Sequence, residues 1–229
     1  MSVGPSRTEF ILAQTALVSP PLVPEMRLHL ATDSREIFQV AQNWGGDCGW
    51  PPYWAFAWPG GQALARYVLD HPEIVGGRTV MDIGAGSGIA SIAAAIAGAA
   101  RVLAADPDPL AAAAIAINGR ENGVEVDITI ADVLGCEPEV DLVLIADLVY
   151  EPELATRVTR FLESAREKGV AVVMADRTTG RRPPLEFSLL ASYRAPLTPM
   201  LEESHFEDAN VWRLEPAGRR PASFHRDTT

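Results

Sequence analysis

Four aspartates and three glycines carry the chemistry that this sequence suggests. In "VMDIGAGSG", residues 80–88, an apolar run ends in Asp82 and opens onto Gly84, Gly86 and Gly88. Glycines in such a turn permit positive φ and bring bare main chain against a ligand, while the next helix aims its first N–H groups at the same place. The dinucleotide fingerprint G-x-G-x-x-G needs a glycine at position 89, where the chain has Ile89. A nicotinamide-dinucleotide oxidoreductase is therefore disfavoured. A tight strand-to-helix turn with no ligand is the plain alternative.

Three later apolar runs also end in acids: Asp106 after "RVLAA", Asp132 after "EVDITIA" and Asp147 after "DLVLIA". One such acid is ordinarily a helix cap. Four in succession put carboxylates along the C-terminal edge of a sheet, where open α/β folds bind ligands, and Asp106 stands where an acid takes both hydroxyls of a ribose.

The elements that must position these residues follow from the apolar periodicity. "TVMDI", "RVLAAD", "EVDITIA", "DLVLIA" and "VAVVMA" read as strands. Between them, "SGIASIAAAIAG", with Ile89, Ile92 and Ile96 in one stripe, reads as a helix, as do "PLAAAAIAINGREN" and "ELATRVTRFLESAREK". Asp108 caps the second of these, with Pro109 at its first position. This alternation predicts an α/β fold with a mostly parallel sheet covered on both faces. "DLVLIA" and "VAVVMA" are continuous apolar runs and belong in the middle of the sheet. "EVDITI" alternates Glu125, Asp127 and Thr129 with Val126, Ile128 and Ile130, which suits an edge.

Residues 1–60 read as an N-terminal extension packed on the core. Within it "RTEFILAQTAL" is a short helix, "PPLVP" stops it, "MRLHLA" is a strand, and "DSREIFQVAQN" is a helix capped by Asp33 or Ser34. "GQALARYVLD" is amphipathic, with Leu64, Tyr67 and Val68 at helical spacing. Residues 61–216 form the main domain. Near its end "PLEFSLLASYR" reads as a helix, and "TPMLEE" and "NVWRL" as a closing antiparallel hairpin. Residues 217–229 read as a disordered tail.

A chain of 229 residues with a formal charge of −11 has room for one full α/β core and lacks the basic surface that non-specific nucleic-acid binding draws on. Cys48 and Cys136 have no metal-type spacing, and His29, His71, His205 and His225 are scattered. No metal site is expected, and a reducing compartment is. No apolar run reaches membrane-spanning length.

Asp82-x-Gly84-x-Gly86-x-Gly88 resembles motif I of the class I S-adenosylmethionine-dependent methyltransferases. The resemblance implies a Rossmann-like fold with a seven-stranded, mostly parallel sheet that ends in an antiparallel hairpin. It also implies S-adenosylmethionine held by Asp82, Gly84, Ala85, Gly86, Ser87 and Gly88, by Asp106 with Pro107, and by Asp132 or the Val133 amide at the adenine edge. Asp82 would complement the ammonium of the cofactor's amino-acid end. Asp147-Leu148-Val149-Tyr150 lacks the two prolines of the base and glutamine methyltransferases and resembles the seven-strand lysine methyltransferases.

"PEMRLHLA", "PYWAFAWPGGQALARYVLDHPEIVGG", "GAGSGIASIAA", "AADPDPLAAAAIAIN" and "DLVLIADLVY" together resemble the electron transfer flavoprotein beta-subunit lysine methyltransferase family. This implies methyl transfer to a lysine amine of a protein, the flavoprotein subunit or a ribosomal stalk protein. Asp147 would orient the amine and Tyr150 wall the pocket. Trp58 would contact the cofactor, with Tyr53 and Trp54 bordering the amine channel. The same aromatics, with Trp44, Trp50 and Phe56, also read simply as packing. The animal members carry a longer leader, so the comparison favours a bacterial cytoplasm over a mitochondrial matrix.

A small-molecule N-methyltransferase, acting for example on nicotinamide, would share every cofactor residue. A cofactor-binding protein without chemistry is a third reading. "RTTGRR", residues 177–182, reads first as a solvated loop and second as a grip on an acidic patch beside the target lysine.

Overall fold

The computed structural model describes residues 6–43, 51–177, 183–196 and 206–216. Cys48, Trp44, Trp50, "TPMLEE", most of "RTTGRR" and the tail lie outside them.

Helix α1 (Arg7–Gln14) starts in a capping box: Glu9 N–H donates to Ser6 Oγ at 3.3 Å and Ser6 N–H to the Glu9 carboxylate at 2.7 Å. The helix ends before the "TAL" that the sequence suggested would continue it. Thr15 Oγ1 folds back onto the Ile11 carbonyl at 2.7 Å, and β1 (Ala16–Val18) pairs antiparallel with β2 (Leu28–Leu30). Asp33 is the cap of α2 (Ser34–Asn43), its carboxylate accepting the Arg35 and Glu36 N–H groups.

From α3 (Pro59–Asp70) the elements alternate: β3 (Thr79–Ile83), α4 (Ile89–Ile96), β4 (Arg101–Ala105), α5 (Pro109–Glu121), β5 (Asp127–Thr129), β6 (Leu142–Ala146), α6 (Pro152–Glu167) and β7 (Ala171–Arg177). The strands β8 (Phe187–Pro196) and β9 (Phe206–Leu214) follow. The sheet order is β5-β4-β3-β6-β7-β9-β8, with parallel pairing through β7 and β9 antiparallel to both β7 and β8. The chain winds outward from β3 in one direction and from β6 in the other, and such a reversal is where doubly wound sheets open a crevice.

Burial explains the order. In β6, Leu142, Val143, Leu144 and Ile145 are each 1 % exposed or less, and each such side chain contributes roughly 1.5–3 kcal/mol when removed from water. Helices α3 and α4 close over one face, and α6 packs Val158, Phe161 and Leu162 against the other. At the edge, β5 has only three residues, and Ile130 lies beyond it, 58 % exposed, against the expected alternation. Ile96 also leaves the expected stripe at 42 % exposure, because α4 ends there.

The segment read as the helix "PLEFSLLASYR" is mostly strand β8. Its alternation is interrupted by a register shift between Leu189 and Ala191 in the pairing with β9, which disguises the period of two. The closing hairpin is thus β8 with β9. Helix α1 and the buried Trp54 and Phe56 pack against α5, so the N-terminal extension shares one cluster with the main domain.

Candidate active site

A cavity of about 640 Å³ opens at the carboxyl ends of the five parallel strands; β3, β4, β6 and β7 each lend it at least one residue, and Ala131 and Asp132 join them just beyond β5. Its size suits a ligand of drug-like dimensions. Ala105-Asp106, Ala131-Asp132, Ala146-Asp147 and Asp176-Arg177 follow or close successive strands and line it together with Gly84 and Gly86.

The glycine turn is shaped as the sequence predicted. Gly84 and Gly86 have φ of 70° and 52°, values that a Cβ disfavours. A methyl on Gly84 would also meet Leu148 at 2.7 Å. Asp106 ties the turn down: Gly86 N–H donates to Oδ2 at 2.9 Å and Asp108 N–H to Oδ1 at 3.0 Å. Burial raises the Asp106 pKa, while those two N–H groups oppose the rise. Asp108 caps α5 through Leu110 N–H at 2.8 Å.

Asp82 departs from expectation. It is 2 % exposed and does not line the cavity; it sits behind the turn, where Ser91 Oγ of α4 donates to its Oδ2. Burial pushes its carboxyl up to about 6, against the pull of Ser91. The alternation of β3 turns it toward α4. Ala85, Ser87 and Gly88 are likewise absent from the lining. Ser87 presents its carbonyl to Asn118 Nδ2 at 2.9 Å, and Gly88, at φ 81°, starts α4 beside Ile115.

On the other flank, Pro107, Asp132 and Val133 line the cavity. Asp132 is paired with Arg157 of α6 and accepts Leu134 N–H at 3.2 Å. The aromatic rim is continuous. Tyr53 packs on Trp58 and on Tyr150 with ring centroids 5.9 Å and 5.6 Å apart, and Trp58 Nε1 donates to the Tyr53 carbonyl at 2.9 Å. Tyr53 and Tyr150 reach solvent at 37 % and 42 % exposure. Trp54 is instead a core residue at 1 % exposure that shows only part of its surface to the cavity. Burial first, then neighbouring Tyr53, pushes the Tyr150 phenol up to about 12, which keeps it neutral as a wall.

Asp147 forms the floor. It holds φ at 50°, unusual for a residue with a Cβ. Its N–H donates to the Ala175 carbonyl of β7 at 3.1 Å. Its Oδ2 accepts Gly61 N–H at 3.0 Å, from the N-terminus of α3, where helix N–H groups and dipole favour an anion. Oδ1 is buried without a hydrogen-bond partner. Burial and the nearby Asp176 charge push its carboxyl up to about 7; Gly61, Arg177 and Gly60 pull the other way. Thus Gly60 and Gly61 serve the carboxylate.

Sequence reading missed Asp176 and Arg157, and it read Arg177 with "RTTGRR" as a loop, whereas Arg177 closes β7; all three line the cavity. Asp176 repeats the Ala-Asp ending of the other three acids, a signal available in "VAVVMAD". Both cavity arginines have acidic partners, Arg157 with Asp132 and Arg177 with Glu207 of β9 at 3.4 Å. The donor set therefore suits a cationic ligand with hydroxyls better than a pyrophosphate. An adenosyl sulfonium fits it: the Gly84–Gly86 cradle, Asp106 for hydroxyls and an acidic floor. Among the described residues no cluster of His, Cys, Asp or Glu could hold a metal ion.

Residues 62–178 match the family described as "Ribosomal protein L11 methyltransferase (PrmA)". The chain is 38 % identical to the electron transfer flavoprotein beta subunit lysine methyltransferase of Xenopus laevis, covering 93 % of this chain and 92 % of that protein. The human protein of the same name is 39 % identical over 70 % of this chain and 62 % of its own length. A solved structure of a proposed RNA methyltransferase from Pyrococcus horikoshii is 18 % identical, covers 80 % of this chain and 98 % of that one, and shares the fold with a TM-score of 0.55. The protein belongs to the ribosomal protein L11 methyltransferase (PrmA) family and is an S-adenosylmethionine-dependent methyltransferase.

Proposed function

We propose that this enzyme methylates the side-chain amine of lysine in a protein, with the electron transfer flavoprotein beta subunit as first candidate substrate and an L11-type ribosomal protein as second. One observation carries the reading: a buried carboxylate oxygen, Oδ1 of Asp147, lacks a partner in a cavity whose rim is the exposed pair Tyr53 and Tyr150. A lysine is an apolar stem with an ammonium at its end. Such a side chain needs an apolar throat and an acceptor below it. Relatives of this chain are named for methylating the same two proteins.

S-Adenosylmethionine, when bound, supplies an electrophilic methyl group carried on a sulfonium. Gly84, Gly86, Asp106, Pro107, Asp132, Val133 and Trp58 are the residues that would hold it. Asp147 accepts a hydrogen bond from the amine and so directs the nitrogen lone pair, while Gly61 N–H keeps the carboxylate from turning away. With its pKa near 7, Asp147 takes up a proton from the arriving ammonium at neutral pH. Tyr53 and Tyr150 enclose the stem and shed water from the amine. Alignment and desolvation of this kind supply most of the rate in an in-line displacement. The chain's net charge of −11 favours approach by a lysine-rich surface.

The test is mass spectrometry of each purified candidate substrate after incubation with enzyme and labelled cofactor. Methyl-lysine in one of them is expected. Label on neither, with methylation of a free amine such as nicotinamide, would replace this reading by the small-molecule one.

A further inference from the structure

Four apolar runs end in Ala-Asp, and the proposed reaction gives roles to three of those acids. The fourth, Asp176, is 5 % exposed and lines the same cavity as Asp147. Strands β6 and β7 run parallel with Ala146 opposite Ala175, so the two carboxylates come one step past the last ladder pair on adjacent strands. Their mutual influence is direct: after burial, Asp176 is the strongest cause holding the proton on Asp147. The other charged group acting on Asp147 is Arg177, which pairs with Glu207.

Like charges in a partly dry cavity are costly unless a cation joins them. The buried, unpartnered Oδ1 of Asp147 marks where a donor is missing. We propose that Asp176 is the second carboxylate of an amine seat and holds the substrate's ammonium jointly with Asp147 before transfer. For lysine as occupant the inference rests on the protein-lysine reading above. An ammonium has three donors and no acceptor, so it can donate to both carboxylates at once. One proton then passes from the nitrogen to Asp147, leaving a neutral amine with a free lone pair and one negative charge fewer on the floor. Asp176 stays ionised and keeps the nitrogen in place.

The experiment compares wild type with Asp176→Asn and Asp176→Glu on the methylated protein substrate from about pH 6 to 9. In Asp176→Asn the KM for that substrate should rise about tenfold or more, the scale of a lost charged hydrogen bond. The acidic limb of kcat/KM should also move to lower pH, because Asp147 ionises more readily without its neighbour's charge. A merely structural role would lower kcat alike at every pH and leave the limb where it was. Asp176→Glu retains the charge and should restore the limb even if its extra methylene lowers kcat.

A second readout needs no turnover: calorimetry of n-butylammonium binding to enzyme loaded with S-adenosylhomocysteine. Binding should weaken about tenfold in Asp176→Asn, and wild type should bind n-butanol far more weakly than the cation. If the variants misfold, that wild-type comparison stands by itself, and equal binding of cation and alcohol overturns the seat. An unchanged KM and an unmoved limb overturn it too, with lysine methylation left intact. A wild type that methylates no lysine removes the lysine reading, and butylammonium binding then decides the seat alone.

Discussion

A methyl group on Gly60 would stand 2.7 Å from both carboxylate oxygens of Asp147. Gly60 follows Pro59 in the first turn of α3, where alanine is otherwise a good helix former. Gly60→Ala should therefore keep the helix and push the carboxylate off its floor. A displacement near 1 Å costs on the order of 100-fold in rate. We expect kcat to fall by about that factor while S-adenosylmethionine affinity, measured by titration, changes little. Wild-type turnover in this variant would show that the Asp147 position is not critical.

The perturbed Asp147 carboxyl also makes a prediction about stability. Its folded pKa, about 7, lies above the ordinary carboxylate value of 3.8. The stability it contributes is thus fully present below about pH 4 and is lost as pH rises through 7. Asp147→Asn stays neutral throughout and should gain on wild type with pH. The two proteins should melt at similar temperatures near pH 4, and the variant's advantage should grow up to about pH 7 and hold above it, by at most a few kcal/mol, at about 1.4 kcal/mol per pKa unit. The same variant should be inactive, since asparagine cannot take the amine's proton. A melting difference independent of pH would mean that the carboxyl is not perturbed.

Much of this site was legible because its signals are local. Continuous apolar runs marked β6 and β7 as central, the alternation in 125–130 marked β5 as an edge, and Asp106 and Asp147 were placed by the ends of the runs that became β4 and β6. What escaped depends on partners distant in sequence. Asp82 sits in the same glycine motif as Gly84, yet only the packing of Ser91 above it shows that it faces away from the cavity. That Gly60 and Gly61 serve Asp147, 86 residues beyond Gly61, is a tertiary fact. Strand β8 was misread because its register shift breaks the alternation, and leucine and alanine then look helical.

Asp106 carries two duties that a substitution separates. Its oxygens already accept Gly86 and Asp108 N–H groups, so the carboxylate both fixes the glycine turn and presents remaining lone pairs to the cavity. Asp106→Asn keeps the shape of the side chain but loses the charge and one acceptor. Loss of charged hydrogen bonds worth roughly 1.5–3 kcal/mol should weaken S-adenosylmethionine binding about 10- to 100-fold. Calorimetric titration measures it, and unchanged affinity would remove Asp106 from the cofactor site.

Asn118 links the N-terminal extension to that same turn. It is fully buried in α5, donates to the Ser87 carbonyl at 2.9 Å and accepts His29 N–H of β2 at 2.7 Å. Asn118→Ala leaves the buried Ser87 carbonyl and the half-buried His29 N–H without this partner, at a cost of about 1–3 kcal/mol for the buried group and less for the other. The urea midpoint should fall with little change in slope, because the surface exposed on unfolding stays nearly the same. Since Ser87 lies between Gly86 and Gly88, the turn loses its brace, and cofactor affinity should fall even though Asn118 does not line the cavity. A variant with a lowered midpoint but unaltered affinity would show that the extension supports the fold without shaping the cofactor cradle.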